Sequence, residues 1–345
     1  MSEPLVQDIL QHYSLGKLLS VKVIKSGLIN QTWDIATDKG EYILQAVNDR
    51  VFIHPDRIDQ NIRAISQYFK EKYAAEPFAH LIPDSKGNTL VHIHGSGYYR
   101  VFDKITNAVT LQVVQEAGQA YQAAYQFAAF TQRLSDFPIA QLQITIPDFH
   151  NLSLRYSQFE NALRTGNTTR IKECQGEIEA LKAHKDIVRV FEAILNEHKL
   201  PLRVIHHDTK ISNVLFDENF QGVCPIDLDT VMPGYIISDV GDMMRTYLSP
   251  VDENSTDIDK IRIRKPFYQA IINGYTNGWQ GKLSTEEIDL LPFSGSFIIY
   301  MQALRFMTDY LLDDHYYGAS YPGQNRDRSM NQIVLLHEYR NSTGC

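Results

Sequence analysis

Cysteine is scarce: three residues in 345, Cys174, Cys224 and Cys345, widely spaced and odd in number. That usage argues against a disulfide framework or a cysteine-built zinc site and fits a reducing cytosol. A surplus of positive charge is also missing, since 33 Lys and Arg face 41 Asp and Glu for a formal charge of −8. A chain this acidic has no basic footprint for nucleic acid, which is not expected as a partner. No stretch approaches the roughly 18 uncharged apolar residues of a membrane span. The first residues, MSEPLVQDILQHY, are acidic and amphipathic rather than basic and then apolar. The expectation is a soluble, cytoplasmic, unexported protein with no membrane partner. Pro/Ser-rich linkers, low-complexity tracts and internal repeats are absent too.

What is present is ample core material, 43% hydrophobic residues, enough for one large domain or two ordinary ones. From Val21 to Val47 the chain reads as strand, loop and hairpin: VKVIK, SGLINQ, TWDIAT, the turn DKG, then EYILQAV. Pro55 opens a segment whose Ile58, Ile62, Ile65 and Phe69 recur at helical spacing. LVHI and YYRVF resume strand character around the turn HGSG. From Leu111 long helical patterns dominate, broken by a strand pair, Val214 to Phe216 and Val223 to Ile226, around the turn DENFQG. The pattern predicts an α+β chain divided at KITNAV, with residues 1–105 forming a small N-terminal lobe and residues 106–345 a larger helical one.

The chemistry concentrates between Val204 and Asp229, in VIHHDTKISNVLFD and, after a turn, IDLD. Asp208 stands five residues before Asn213 in the spacing H-x-D-x-x-x-x-N. In phosphoryl transfer such an aspartate orients the acceptor hydroxyl and takes its proton, while the asparagine oxygen binds Mg²⁺. Lys210 could reach the transferred phosphate as a point charge. Asp227, at the end of the next strand, supplies the second hard oxygen that Mg²⁺ requires. Taken singly, Asp208 could equally cap a turn; the set on loop, strand, turn and strand is far less ordinary.

These residues carry a resemblance. HHDTKISN and IDLD are similar to the aminoglycoside phosphotransferase and choline kinase superfamily, the small-molecule branch of the protein-kinase-like fold. IDLDTVMPG, DVGDMMR, LRFMTDYLLDDHYY and YPGQN most resemble the N-acetylhexosamine 1-kinases, with weaker similarity in GLINQTW and YILQAVN. The resemblance implies a two-lobed fold, a small antiparallel sheet with one helix above a larger helical lobe, with ATP in the cleft. It implies transfer of the γ-phosphoryl of ATP to the anomeric hydroxyl of N-acetylglucosamine or N-acetylgalactosamine. Asp208 would be the base, and Asn213 and Asp227 the Mg²⁺ ligands.

Within that frame the loop around Gly27 would cover the phosphates, although alone it is equally an ordinary turn. Phe102 to Ile105 would offer backbone groups to the adenine, although apolar residues there could be plain core. For an amino-sugar acceptor, Asp229 lies two residues beyond Asp227 and should face the same way if that segment is extended. The resemblance adds Arg305 and Tyr317. One kinase hallmark is missing: where most kinases place a third-strand lysine paired with a helix glutamate, this chain has Gln45, with Gln60 and Asn61 on the helix. Losing both partners together leaves no buried charge of that pair unmatched. Asp239 reads as structural support for the catalytic loop, and Asp242 and Arg245 are spaced to pair along a helix. The competing readings are an aminoglycoside- or choline-type phosphotransferase, a non-catalytic nucleotide-binding pseudokinase, and a glycosyltransferase using the DLD of 227–229. The last would need a Rossmann-like run of parallel strands.

Overall fold

Local sequence accounts for most of the elements seen in a computed structural model, which describes residues 3–24 and 29–344. Helix α1 (Glu3–Leu10) precedes β1 (Leu18–Ile24), β2 (Gln31–Thr37) and β3 (Gly40–Val47). Helix α2 (Pro55–Lys72) follows, then β4 (Leu81–Ile82), β5 (Val91–Ile93), β6 (Gly97–Asp103) and β7 (Val109–Thr110). Next come α3 (Ala117–Arg133), α4 (Leu152–Thr165), α5 (Thr168–Glu173), α6 (Gln175–Ala183) and α7 (Asp186–Asn196). The strands β8 (Arg203–Ile205), β9 (Val214–Phe216), β10 (Gly222–Pro225) and β11 (Met232–Gly234) lead to α8 (Ile236–Tyr247), α9 (Lys265–Gly278), α10 (Thr285–Leu311) and α11 (Gln324–Thr343). No helix among the described residues is long and apolar enough to cross a membrane.

Contacts divide the chain into two compact units that alternate along it. One holds residues 1–112, 136–147 and 212–233, and the other 113–135, 148–211 and 234–345. The contiguous division expected at residue 105 is therefore replaced by an interleaved one. Pairing gives the reason: β9 hydrogen-bonds both β10 and the distant β7, so the hairpin of 212–233 folds with the N-terminal segment.

In the first unit, β1-β2-β3-β6-β4 form an antiparallel sheet, with β5 also on β6. Asp38 and Lys39 close β2 onto β3, as the DKG turn predicts. Val6 and Ile9 of α1 pack with Trp33, Ile35, Leu44 and Val101. Helix α2 carries Pro in its first turn, where a missing N–H is harmless, and buries the expected stripe of Ile58, Ile62, Ile65 and Phe69. Asn61 on this helix holds the later segments: its Nδ2 donates to the carbonyls of Gln143 (2.8 Å) and Val231 (3.0 Å), and its Oδ1 accepts from the Gln143 N–H (2.8 Å).

The second unit is built on α10, apolar on nearly every side and buried along most of its length. Close helix packing depends on small residues. A Cβ on Gly274 of α9 would lie 2.3 Å from the Tyr121 carbonyl oxygen of α3, and one on Gly241 of α8 would lie 2.2 Å from the Ser294 carbonyl oxygen of α10. Short β8 delivers the chain into the loop of Asp208.

Candidate active site

Asp208 follows His206 and His207 just beyond β8, in a loop pinned by two carboxylates from the first turns of α8. The backbone N–H groups of His206 and His207 donate to Asp239 at 3.0 and 2.7 Å. The Thr209 N–H donates to Asp242 at 2.8 Å, and the Thr209 hydroxyl donates to the Asp239 carbonyl at 2.7 Å. Tyr247 donates its hydroxyl to the Thr209 carbonyl at 2.5 Å. Asp239 is thus the structural support expected, and Asp242 pairs with Arg245 at 3.0 Å as the helical spacing required. The buried His206 ring meets Phe127 edge-on. His207 takes a left-handed conformation (φ 66°), with its ring 5.3 Å from that of His150. So braced, Asp208 and Lys210 remain partly exposed, and the ammonium reaches the Asp208 Oδ2 at 2.8 Å.

Burial pushes the Asp239 carboxyl up to about 7, against the opposing pull of the two N–H donors. A carboxyl that binds its proton more tightly folded than unfolded favours the folded state most below its ordinary value of 3.8. That advantage drains away as pH rises through about 7. Asp239→Asn should accordingly show a shallower loss of stability with rising pH across this window than the parent. Urea unfolding at a series of pH values checks the slope; equal slopes would remove Asp239 from the titration.

Asn213 and Asp227 sit at one end of the β9-β10 hairpin. Val214 pairs with Pro225, and the Ile226 N–H donates to the Asn213 carbonyl at 2.9 Å, so the residues just before β9 and just after β10 are brought side by side. Asp227 is left-handed (φ 61°, ψ 62°) and caps the 3₁₀ turn Leu228–Thr230. An amide oxygen and a carboxylate are hard donors, suited to Mg²⁺ that takes its other ligands from phosphates and water. Among the described residues no cluster of three or more His, Cys, Asp or Glu could hold a metal without such help.

Asp229 differs from expectation. Its segment is a 3₁₀ turn, not extended, and both carboxylate oxygens are engaged: Oδ1 by Arg100 Nη2 (2.5 Å) and Oδ2 by Asn30 Nδ2 (2.7 Å). Arg100 and Asp229 are 1% and 2% exposed, so Asp229 is half of a buried ion pair rather than an open sugar ligand. Arg100 stands on β6 directly opposite Gln45 of β3, and its Nε and Nη2 both donate to the Gln45 Oε1, at 3.1 and 2.9 Å. A cation thus stands on β6 beside Gln45, paired with Asp229 of the 3₁₀ turn. Sequence reasoning misses Arg100 because its significance depends on register; the cue is a lone arginine inside the apolar run YYRVF. Phe102 and Ile105 are half-buried at the end of β6, the Phe102 ring 5.2 Å from the Arg100 guanidinium. Gly27 lies outside the described residues.

Arg305 and Tyr317 are brought together in the second unit, on the wall of a cavity of about 510 Å³. Gln302 links them, its Oε1 accepting from Arg305 (3.2 Å) and its Nε2 donating to the Tyr317 hydroxyl (3.0 Å). The Arg305 guanidinium lies 5.4 Å from the Tyr317 ring and 5.9 Å from that of Phe149. Phe149 in turn lies 6.2 Å from the His207 ring, which places the cavity wall one aromatic contact from the loop of Asp208.

Residues 20–281 match the model of a family described as the phosphotransferase enzyme family. Among solved structures, the chain is similar to an aminoglycoside phosphotransferase from Alicyclobacillus acidocaldarius, at 15% identity and a TM-score of 0.67 over 98% of this chain and 96% of that one. A microcompartment-associated aminopropanol kinase matches at 16% identity and a TM-score of 0.66, over 99% of both chains. An amicoumacin kinase in complex with AMP-PNP and Ca²⁺ matches at 12% identity and a TM-score of 0.62, over 98% of this chain and 94% of that one. At these identities the likeness is one of fold, the kinase-like α+β fold with its antiparallel sheet. The described strand pairs of that sheet are antiparallel, so it is not the parallel arrangement a Rossmann-type glycosyltransferase needs.

Proposed function

Because the chain belongs to the phosphotransferase enzyme family, we propose that it transfers the γ-phosphoryl of ATP to the anomeric hydroxyl of an N-acetylhexosamine, giving the sugar 1-phosphate and ADP. The observation that carries the transfer is Asp208, partly exposed on a loop whose backbone is fixed by the buried carboxylates of α8. In this reading Asp208 orients the acceptor hydroxyl and takes its proton as the oxygen attacks the γ-phosphorus and ADP departs. Lys210, now held by Asp208, exchanges that partner for phosphate oxygen when nucleotide enters. Asn213 and Asp227 would hold Mg²⁺, which when bound neutralises charge on the β- and γ-phosphate oxygens. The backbone at Phe102 to Ile105 reads the adenine.

For the acceptor, the support comes from Arg305 and Tyr317 on one cavity with Gln302 between them. They offer a guanidinium, a phenol and an aromatic face, the groups that suit a ring of hydroxyls and an acetamido carbonyl. A polycationic aminoglycoside or a choline-type ammonium would meet like charge at Arg305.

The test is ATP consumption with Mg²⁺ over N-acetylglucosamine, N-acetylgalactosamine, glucose, choline and kanamycin, with phosphorus NMR of the product. An anomeric phosphate from an N-acetylhexosamine supports the reading; turnover confined to choline or kanamycin sinks the acceptor assignment. Separately, Asp227→Ala should abolish the Mg²⁺-dependent part of ATP binding by calorimetry, and an unchanged Mg·ATP affinity would take Asp227 out of the metal site.

A further inference from the structure

The cavity that holds Arg305 and Tyr317 contains positive charge that the described residues leave unmatched. Arg155 of α4 lines it, and the nitrogens of its guanidinium that are bonded reach only neutral acceptors: the Gln158 Oε1 at 3.0 Å and the carbonyls of Asp148 and Phe149 at 2.9 and 3.4 Å. Its Nε is buried with no hydrogen-bond partner among the described residues. Arg305 likewise reaches, among the described residues, only Gln302 and the Tyr316 hydroxyl, at 3.2 and 3.3 Å. Among the described residues neither arginine forms an ion pair with a carboxylate, although surface arginines elsewhere in the same unit do.

The carboxylate on the described wall, Asp309, is already committed. It accepts the backbone N–H groups of Tyr316 (2.7 Å) and Tyr317 (2.9 Å) and the Asn325 Nδ2 (3.1 Å). Thr308, also on the wall, has a buried hydroxyl with no partner among the described residues. Burial and the nearby Arg305 charge both push Arg155 below its ordinary value, which registers two like charges close together in a partly dry setting. Arg164, a third arginine on the wall, likewise reaches a neutral acceptor, the Asn161 Oδ1 at 3.5 Å. Buried polar groups without partners beside guanidiniums without a carboxylate are what a protein shows when the missing partner is a ligand. A guanidinium fork matches a planar pair of oxygens.

We infer that the Arg155–Arg305 cavity binds a carboxylate carried by the acceptor itself, so that the preferred substrate is an acidic N-acetylhexosamine rather than a neutral one. The sugar ring lies against Tyr317 and Phe149, its carboxylate takes the Arg155 and Arg305 N–H donors, and the Thr308 hydroxyl donates to a remaining oxygen. This inference rests on the acceptor reading above, and the experiment separates the two.

The full-length enzyme with Mg·ATP is assayed on N-acetylglucosamine, on its 3-O-carboxymethyl ether, and on the methyl ester of that ether, which keeps the shape and removes the charge. The acid is expected to exceed the ester in kcat/KM by at least about tenfold, the scale of a charge-assisted hydrogen bond. In Arg155→Gln that acid-to-ester ratio should fall towards one, and in Arg155→Lys, which keeps the charge but not the fork, it should fall only part of the way, with the unfolding temperature of each variant as the folding control. Acid and ester used equally by the parent enzyme would overturn the inference and leave the hexosamine reading standing. Free acetate that stimulates turnover of N-acetylglucosamine would overturn it too, because the anion would then be a separate ligand. Should no hexosamine of any charge be phosphorylated, the acceptor reading falls, and calorimetry with glucuronate decides the cavity alone: binding lost in Arg155→Gln supports the anion site, and no binding to the parent enzyme overturns it.

Discussion

Asp208→Asn should lower turnover at least about a hundredfold while leaving Mg·ATP affinity within about twofold, because a positioned general base contributes roughly 10² to 10⁴. The amide keeps the shape of the side chain but cannot take the proton that the acceptor hydroxyl must lose. The loop itself should not move. The groups that fix it are the backbone N–H donors of His206, His207 and Thr209 on Asp239 and Asp242, and the substitution touches none of them. Lys210 loses the carboxylate it now contacts at 2.8 Å and can turn to phosphate, which works against any loss of nucleotide affinity. Single-turnover rates with calorimetric ATP binding separate the two quantities. Turnover near the parent rate would mean that some other group accepts the proton.

The largest effect on stability is expected at the Arg100–Asp229 pair. Arg100→Met leaves the Asp229 carboxylate buried with Asn30 as its remaining donor among the described residues, and stranding one member of a buried pair typically costs about 3–5 kcal/mol. Arg100→Met/Asp229→Leu removes both charges and should recover much of that loss, since well-packed apolar replacements of buried ion pairs are often neutral or better. Urea midpoints of the two single variants and the double variant give the coupling. A double variant as unstable as the worse single one would show that Gln45 and Asn30, which also bond this pair, matter more than the charges.

Much of the fold is legible in the sequence because it is local. The Ile58, Ile62, Ile65 and Phe69 stripe and the DKG turn announce themselves through period and turn chemistry. The hairpin flanked by Asn213 and Asp227 does so through spacing. Arg100 is not legible: it meets Asp229 across 129 residues and faces Gln45 only once β3 and β6 have taken their register. A slip of one residue would turn it to the other face of the sheet. Asp229 is misread for a similar reason. The left-handed Asp227 tightens the chain into a 3₁₀ turn, and nothing in the letters IDLD distinguishes that from a continuing strand. Arg155 draws no attention because a lone arginine on an amphipathic helix is ordinarily a solvated surface residue; what marks it is the lack of a carboxylate partner among the described residues.

The alternation of the two units along the chain bears on how the protein is made. Strand β7 ends at Thr110, but its partner β9 begins at Val214, and Asn61 waits for the carbonyl of Val231. A chain leaving the ribosome from its N-terminus cannot finish the first unit until roughly two thirds of it has been synthesised, whereas N-terminal domains usually close early. Until then β7 lacks its neighbour and the amide of Asn61 lacks one of its acceptors. The six-stranded sheet draws only on residues 18–103 and can pair early, whereas the three-stranded sheet of β7, β9 and β10 is left open until the chain has passed Pro225.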